Sequence, residues 1–298
     1  MASRNEIVLF FVEDKAQEIK AALPFSEAVK KQITDAQMFR LCVQSIRQRM
    51  PDSRITLITD GATQIHEGCD DVTVIRDTAI TMSTLITGRV RVSRDYLARC
   101  VRESDAGTVI FMDTDILVNL DLMDAFREDF DVGFTVSFDP SLAYSERGIP
   151  INSQKTPVNG GVMFARANQA ALDFYTAWVE NIHTQKDSDD FAEYGTYAED
   201  VKKFYYQWWG AQHVLQLMLG RGIKAGRTTM ESAGARVRLF ERDIYNFSPR
   251  YQAGKTGSLS IDITPQDFKM RYVFHMKGPR KVLMQNLAEA MKAVPATS

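Results

Sequence analysis

Two hydrophobic rhythms alternate along the first half of the chain, and each predicts a different element. The unbroken apolar run Ile7 to Val12 reads as a buried strand. From about Thr34 to Met50, apolar Met38, Leu41, Cys42, Ile46 and Met50 recur at three- and four-residue intervals, which predicts a helix stopped by Pro51. A second strand follows at Ile55 to Thr59 and is closed by the turn pair Asp60-Gly61, with a third at Val72 to Ile75 and a long helix from about Ser83 to Arg102.

The run Thr108 to Val118 is the most informative. Val109 to Met112 and Ile116 to Val118 are apolar and enclose Asp113 and Asp115, so a buried strand is expected to end by presenting two carboxylates on one face. Burying such a pair costs several kcal/mol, on the order of that for an unpaired charge, unless a cation or hydrogen-bond donors compensate it.

Beyond it, Val132 to Phe138 predicts another strand and Asp139 to Pro157 a polar loop that is mobile or covers a ligand. Asn159-Gly160-Gly161 opens the apolar run Val162 to Ala165. Helical spacing covers Leu172 to Ile182, polar Gln185 to Thr196 reads as a surface loop, and helix returns from Glu199 to Leu219 until Gly220 and Gly222 end it. The last third mixes short strands and turns up to Tyr272 to Lys281, and Val282 to Val294 predicts an amphipathic helix that docks on the domain rather than on a membrane. Strands alternating with helices predict an α/β fold: a central, mostly parallel sheet flanked by helices.

Composition narrows the function. The 298 residues are 45% hydrophobic and 25% charged, as in ordinary globular proteins, and fit one domain. Thirty-six basic side chains against 38 acidic give a net charge of −2, without the basic excess that nucleic acid demands. Cys42, Cys69 and Cys100 are odd in number and far apart, which predicts reduced thiols rather than a disulfide framework. The first apolar run is too short to span a membrane, so a cytoplasmic location is the expectation, with peripheral membrane contact at most.

An Asp-x-Asp at the carboxyl end of a central strand lies where open α/β sheets place ligands, and its hard oxygens suit Mg²⁺ or Mn²⁺ bound to a diphosphate. The same pair could instead cap a following helix. The run from Phe111 to Val118 resembles the Asp-x-Asp segment of the GT-A glycosyltransferases, particularly glycosyltransferase family 8. Val158 to Phe164 is similar to that family's Asn-x-Gly-Val strand, and His275, Gly278 and Lys281 match its HxxGxxK signature. In order and separation the resemblance spans about Asn5 to Lys281.

The resemblance implies a GT-A-type domain with a small acceptor-side lobe: a nucleotide-binding half over about residues 5–138, a donor-sugar and acceptor half over about 139–281, and a closing helix over 282–298. It implies His275 as a third metal ligand beside Asp113 and Asp115, and an imidazole with two carboxylates favours Mn²⁺ over Mg²⁺. Gly278 would admit a phosphate to the backbone and Lys281 would contact the same diphosphate. Asn159 is expected near the sugar hydroxyls, Glu13 and Asp14 near the nucleobase, and either Arg89 or Arg91 near the donor. The implied reaction moves a hexose from a nucleotide diphosphate sugar, a UDP-sugar in most of the family, to a hydroxyl-bearing acceptor with retention of configuration.

One position departs from the pattern. The family's Asp-Gln pair corresponds here to Ala211-Gln212, so the glutamine expected nearest the anomeric carbon is present and the acid before it is not. A degenerate transferase that only binds a nucleotide sugar or glycan is therefore an alternative, and a phosphatase or phosphotransferase of the haloacid dehalogenase type is a more distant one. The aromatic cluster Phe191, Tyr194, Tyr197, Phe204, Tyr205, Tyr206, Trp208 and Trp209 reads mainly as packing, with a tryptophan as a candidate acceptor platform.

Overall fold

The computed structural model describes residues 4–12, 33–65, 68–81, 84–151, 156–253 and 259–293. In chain order the elements are β1 (Arg4–Phe10), α1 (Asp35–Arg49), β2 (Arg54–Thr59), β3 (Thr73–Arg76), α2 (Leu85–Glu103), β4 (Ala106–Met112), β5 (Ile116–Val118), β6 (Val132–Val136) and β7 (Val158–Arg166). They continue with α3 (Gln169–Gln185), α4 (Ala198–Lys203), α5 (Gly210–Lys224), β8 (Thr229–Ser232), β9 (Ala235–Glu241) and α6 (Arg242–Tyr245). The chain closes with β10 (Arg250–Ala253), β11 (Leu259–Asp262), α7 (Pro265–Met270), β12 (Val273–His275) and α8 (Met284–Lys292).

Among the described residues, eight strands form one sheet in the order β3-β2-β1-β4-β7-β6-β9-β8. Strands β3, β2, β1, β4, β6 and β9 run one way, and only β7 and β8 run against them. Helices cover both faces, as a sheet of continuous apolar strands requires. Strand β4 shows how one segment feeds two cores. Val109 and Phe111 join Val90 and Leu97 of α2 and Phe174 and Trp178 of α3, while Ile110 and Met112 join Phe39 and Ile46 of α1 and Met284 and Leu287 of α8.

Local chemistry sets the helix ends. Thr34 caps α1 with a reciprocal box: its hydroxyl accepts from the Gln37 amide at 3.2 Å and the Gln37 side chain accepts from the Thr34 amide at 2.8 Å. Asn168 caps α3 by accepting from the Ala171 amide at 2.9 Å. The closing helix docks, as its pattern predicts: Met284, Leu287 and Met291 are buried and Arg49 donates to the Met291 carbonyl at 3.1 Å. No helix among the described residues is long and apolar enough to cross a membrane.

As expected, the buried strand ends at the acidic pair: β4 stops at Met112, and β5 pairs with β12 in a separate two-stranded sheet, so the two carboxylates sit in the break between sheets. Three sequence expectations are corrected. Helix α5 does not end at Gly220 but runs on to Lys224, because both glycines serve close packing. A β-carbon on Gly220 would come within 2.7 Å of the Arg147 carbonyl oxygen, and the sulfur of Met230 lies against Gly222.

The polar loop 139–157 is tied down over its described part rather than mobile. Gln216 donates to the Gly148 carbonyl at 2.6 Å, Lys224 donates to the Ser145 carbonyl at 3.0 Å, and Ile149 is fully buried. Nor is Gln185 to Thr196 a surface loop, since Asp189–Tyr197 forms short helical turns that bury Phe191 and Tyr194. There Phe191 stacks on His213 at 4.9 Å and the Tyr194 hydroxyl lies 2.9 Å from its Nδ1. Net polarity concealed two anchor residues spaced three apart, the spacing of one helical face.

Candidate active site

The break between β4 and β5 is held from both sides by main chain. The Asp113 amide donates to the Gly161 carbonyl at 2.9 Å, extending the β4–β7 ladder one residue past the strand, and the Met276 amide donates to the Asp115 carbonyl at 2.8 Å. Antiparallel pairing of β5 with β12 sets His275 opposite Ile116, directly after Asp115. One ligand atom each from Asp113, Asp115 and His275 lies within 4.8 Å of the others. The His275 Nε2 is 3.0 Å from one Asp115 oxygen and 3.6 Å from one of Asp113.

The electrostatics suit a cation. His275 is 2% exposed, and burial, with Lys277 nearby, pushes it below the usual imidazole value, which keeps it neutral near pH 7. Burial alone would raise the Asp115 carboxyl, but the Lys281 ammonium, 3.2 Å from it, holds it well below the ordinary carboxylate range. Asp115 is thus an anion, and in return it raises the Lys281 ammonium. Burial depresses Lys277 to about 8 although Asp113 and Asp115 oppose the shift.

Of these residues, Asp113 lines a pocket that holds about 440 Å³ of space open to solvent. Arg89, Asp113, Asn159 and Gln212 supply its polar groups, and Ile86, Val90, Met163, Trp178 and Leu215 its apolar wall. Arg89 reaches the pocket from α2, with its side chain only 8% exposed, and pairs with Asp113. Arg91 does not reach it: two residues on, it points to another side of the helix and pairs with Asp77 at 2.8 Å and Asp95 at 3.4 Å. Between the two arginine candidates, the fold brings Arg89 to the carboxylates.

Ala211 and Gln212 line the same pocket from the first turn of α5, and the Trp178 indole donates to the Ala211 carbonyl at 3.0 Å. Asn159 spends its side-chain oxygen locally, accepting from the Gly161 amide at 2.9 Å and from Asn246 at 2.7 Å, so only its NH₂ is left to offer a ligand. Gly278 has φ of +57°, the left-handed region, and nothing lies within 4 Å of where a β-carbon would stand. Its backbone conformation, more than a crowded contact, is what calls for glycine. Glu13 and Asp14 lie outside the described residues.

The aromatic cluster is mostly packing. Phe191, Tyr194 and Tyr205 are buried, the Tyr205 hydroxyl donates to the Ile182 carbonyl at 2.7 Å, and Lys186 lies over the Tyr206 ring at 5.3 Å. Sequence reading missed Asn246, which is wholly buried and bonded to His275 and Asn159. It also missed Trp178 as a pocket wall. No motif marks either residue, because their roles depend on partners 29 and 33 positions away.

Comparison with known proteins identifies the family and the fold. The nucleotide-diphospho-sugar transferase family matches residues 104–253, just over half of the chain. Solved structures similar to it include an active-site mutant of LgtC, 14% identical with a TM-score of 0.50, covering 97% of each chain. The galactosyltransferase LgtC in complex with donor and acceptor sugar analogs is 15% identical over 97% of each chain, with a TM-score of 0.47. A glycosyltransferase involved in glycosylating the major capsid of PBCV-1 is 10% identical over 97% of this chain and 99% of that one, with a TM-score of 0.41. No curated protein sequence matches. With a family match over residues 104–253, which include Asp113, Asp115, Asn159 and Gln212, and a fold similar to that of LgtC over 97% of the chain, the chain belongs to the nucleotide-diphospho-sugar transferases and is a GT-A glycosyltransferase.

Proposed function

We propose that this protein transfers a hexosyl group from a UDP-sugar to a hydroxyl-bearing acceptor, with Mn²⁺ as its resident metal and with retention of anomeric configuration. The observation that carries this reading is the convergence of Asp113, Asp115 and His275, whose ligand atoms all lie within 4.8 Å of one another. Two carboxylates and a neutral imidazole make a hard-to-borderline donor set that fits Mn²⁺ better than Ca²⁺. The crowding of Gly161 under the His275 ring fits as well, since a side chain there would displace the imidazole from the carboxylates.

When bound, the metal supplies positive charge against the nucleoside diphosphate that leaves. The chain's own residues do the rest. Lys281 and Arg89 bring cationic groups to the same edge, where they offer charge-assisted bonds to phosphate oxygens. Gln212 and the Asn159 NH₂ face the pocket and orient sugar hydroxyls, and the apolar wall excludes water that would otherwise hydrolyse the donor. With retention the leaving phosphate oxygen takes the acceptor proton, so the scheme calls for no separate side-chain base. In this scheme residues 5–138 bind the nucleotide and 139–281 the sugar and acceptor, and the protein works in the cytoplasm.

The test is calorimetric titration with a panel of UDP- and GDP-sugars, with and without Mn²⁺, followed by donor hydrolysis. Tight, metal-dependent binding of one UDP-hexose with turnover supports the proposal. Binding without turnover would favour a nucleotide-sugar-binding protein, for which Ala211 is the motivating residue, and absence of binding to every donor would overturn the donor assignment.

A further inference from the structure

The bonds around Asn246 fix its orientation without ambiguity. The Gly161 amide can only donate, so the Asn159 atom it meets at 2.9 Å is the side-chain oxygen. That oxygen has a second neighbour at 2.7 Å, which must be a donor, namely Nδ2 of Asn246. The Thr135 hydroxyl gives its one proton to the Asn159 carbonyl at 2.9 Å and so accepts from the same Nδ2 at 2.9 Å. With both Nδ2 protons committed, the Asn246 oxygen faces His275 Nδ1 at 2.7 Å. An amide oxygen only accepts, so the proton of the imidazole sits on Nδ1 and the bare lone pair of Nε2 is aimed between Asp113 and Asp115.

We propose that Asn246 is a positioning residue that holds His275 in its Nδ1-protonated tautomer and, through the other end of the same amide, fixes the Asn159 side chain, so that one buried group sets both the metal edge and the sugar edge of the pocket. A lone pair facing two carboxylates is repulsive in an isolated imidazole, which would otherwise turn its N–H towards them. Asn246 makes that alternative cost a buried hydrogen bond, and the ring stays ready for a cation. The inference rests on the metal-dependent reading of the site, but its first test does not.

That test is nitrogen NMR of the metal-free protein, which reads the tautomer directly. His275 is expected as the Nδ1-protonated form in the wild type and in Asn246→Asp, where a carboxylate still accepts, and as the Nε2-protonated form or a mixture in Asn246→Ala. The second readout is Mn²⁺ affinity, expected to fall about 10- to 100-fold in Asn246→Ala and to recover in Asn246→Asp. Asn246→Asp cannot donate to Asn159, so it is also expected to raise the donor KM several-fold while kcat changes less. A wild-type His275 protonated on Nε2, or an Asn246→Ala protein that folds and keeps the Nδ1 tautomer, overturns the proposal. A wild type with the expected tautomer but no Mn²⁺ affinity would leave the positioning intact and refute the metal assignment instead.

Discussion

Gly161 lies against the imidazole of His275 so closely that a β-carbon added to it would stand 2.6 Å from Nδ1. Such a separation is well inside van der Waals contact, and the Asn159 oxygen at 2.8 Å closes the other side. Gly161→Ala should therefore displace the ring rather than be absorbed. Mn²⁺ affinity is expected to drop at least about tenfold, with a stability loss of about 1–3 kcal/mol. Titration and thermal melting of the same sample check both, and an unchanged affinity would remove His275 from the metal site.

Asp115 meets His275 at 3.0 Å and Lys281 at 3.2 Å. Asp115→Ala is expected to abolish metal-dependent donor binding and to lower turnover by about 100-fold or more. Its main chain bond to Met276 remains, so the circular dichroism spectrum should not change. Retained metal dependence in the variant would mean that the carboxylate pair is not the cation site.

Ala211 is 3% exposed and lines the pocket beside Gln212. Ala211→Asp adds an acceptor where an apolar wall now stands. Turnover with hexose donors is expected to change by about tenfold or more, in line with roughly 1–3 kcal/mol for a charged hydrogen bond to a hydroxyl. Comparing kcat/KM across the donor panel reads it. Equal values for both proteins would place this position away from the sugar.

Gly148 has φ of +83°, and a β-carbon there would come within 2.6 Å of the Arg221 amide nitrogen and strike the Gly220 carbonyl. Both obstacles are backbone, which cannot rotate away. Gly148→Ala is expected to destabilise the fold by about 2–4 kcal/mol, measured by urea denaturation, by forcing the 139–157 loop off α5. A loss below about 0.5 kcal/mol, the usual size for surface changes, would show that the loop is not pinned as described.

His213 is 2% exposed, and burial, with Arg147 nearby, lowers it from 6.5 to about 4. The unfolded chain binds this proton first, so stability is complete above pH 6.5 and is lost as pH falls towards 4, by about 3 kcal/mol for a shift of this size. His213→Phe keeps the ring stack on Phe191 and removes the titration. Denaturation between pH 7 and pH 4.5 should show a shallower loss in the variant, and parallel curves would place the pH sensitivity elsewhere.

Much of the architecture was legible because it is written at short range. Thr34 and Gln37 bound a helix within one turn, the apolar run around Ile110 marks a strand with both faces buried, and Asp113 and Asp115 mark the end of that strand by position alone. Other readings failed where a neighbour distant in sequence decided the outcome. Gly220 reads as a helix stop until Gly148 is packed against it, and Phe191 reads as part of a loop until His213 lies beneath it.

By itself, then, the sequence determined the α/β rhythm, the acidic pair and the presence of His275 and Lys281 near the end. Tertiary structure alone decided that Arg89 rather than Arg91 meets Asp113, that the acidic pair falls between two sheets, and that Asn246 joins His275 to Asn159. The physical reason is one of range. Periodicity and capping act over three or four residues, whereas hydrogen bonds that fix a tautomer or aim a guanidinium depend on sheet register, which brings together side chains that lie up to 160 positions apart for Asp115 and His275.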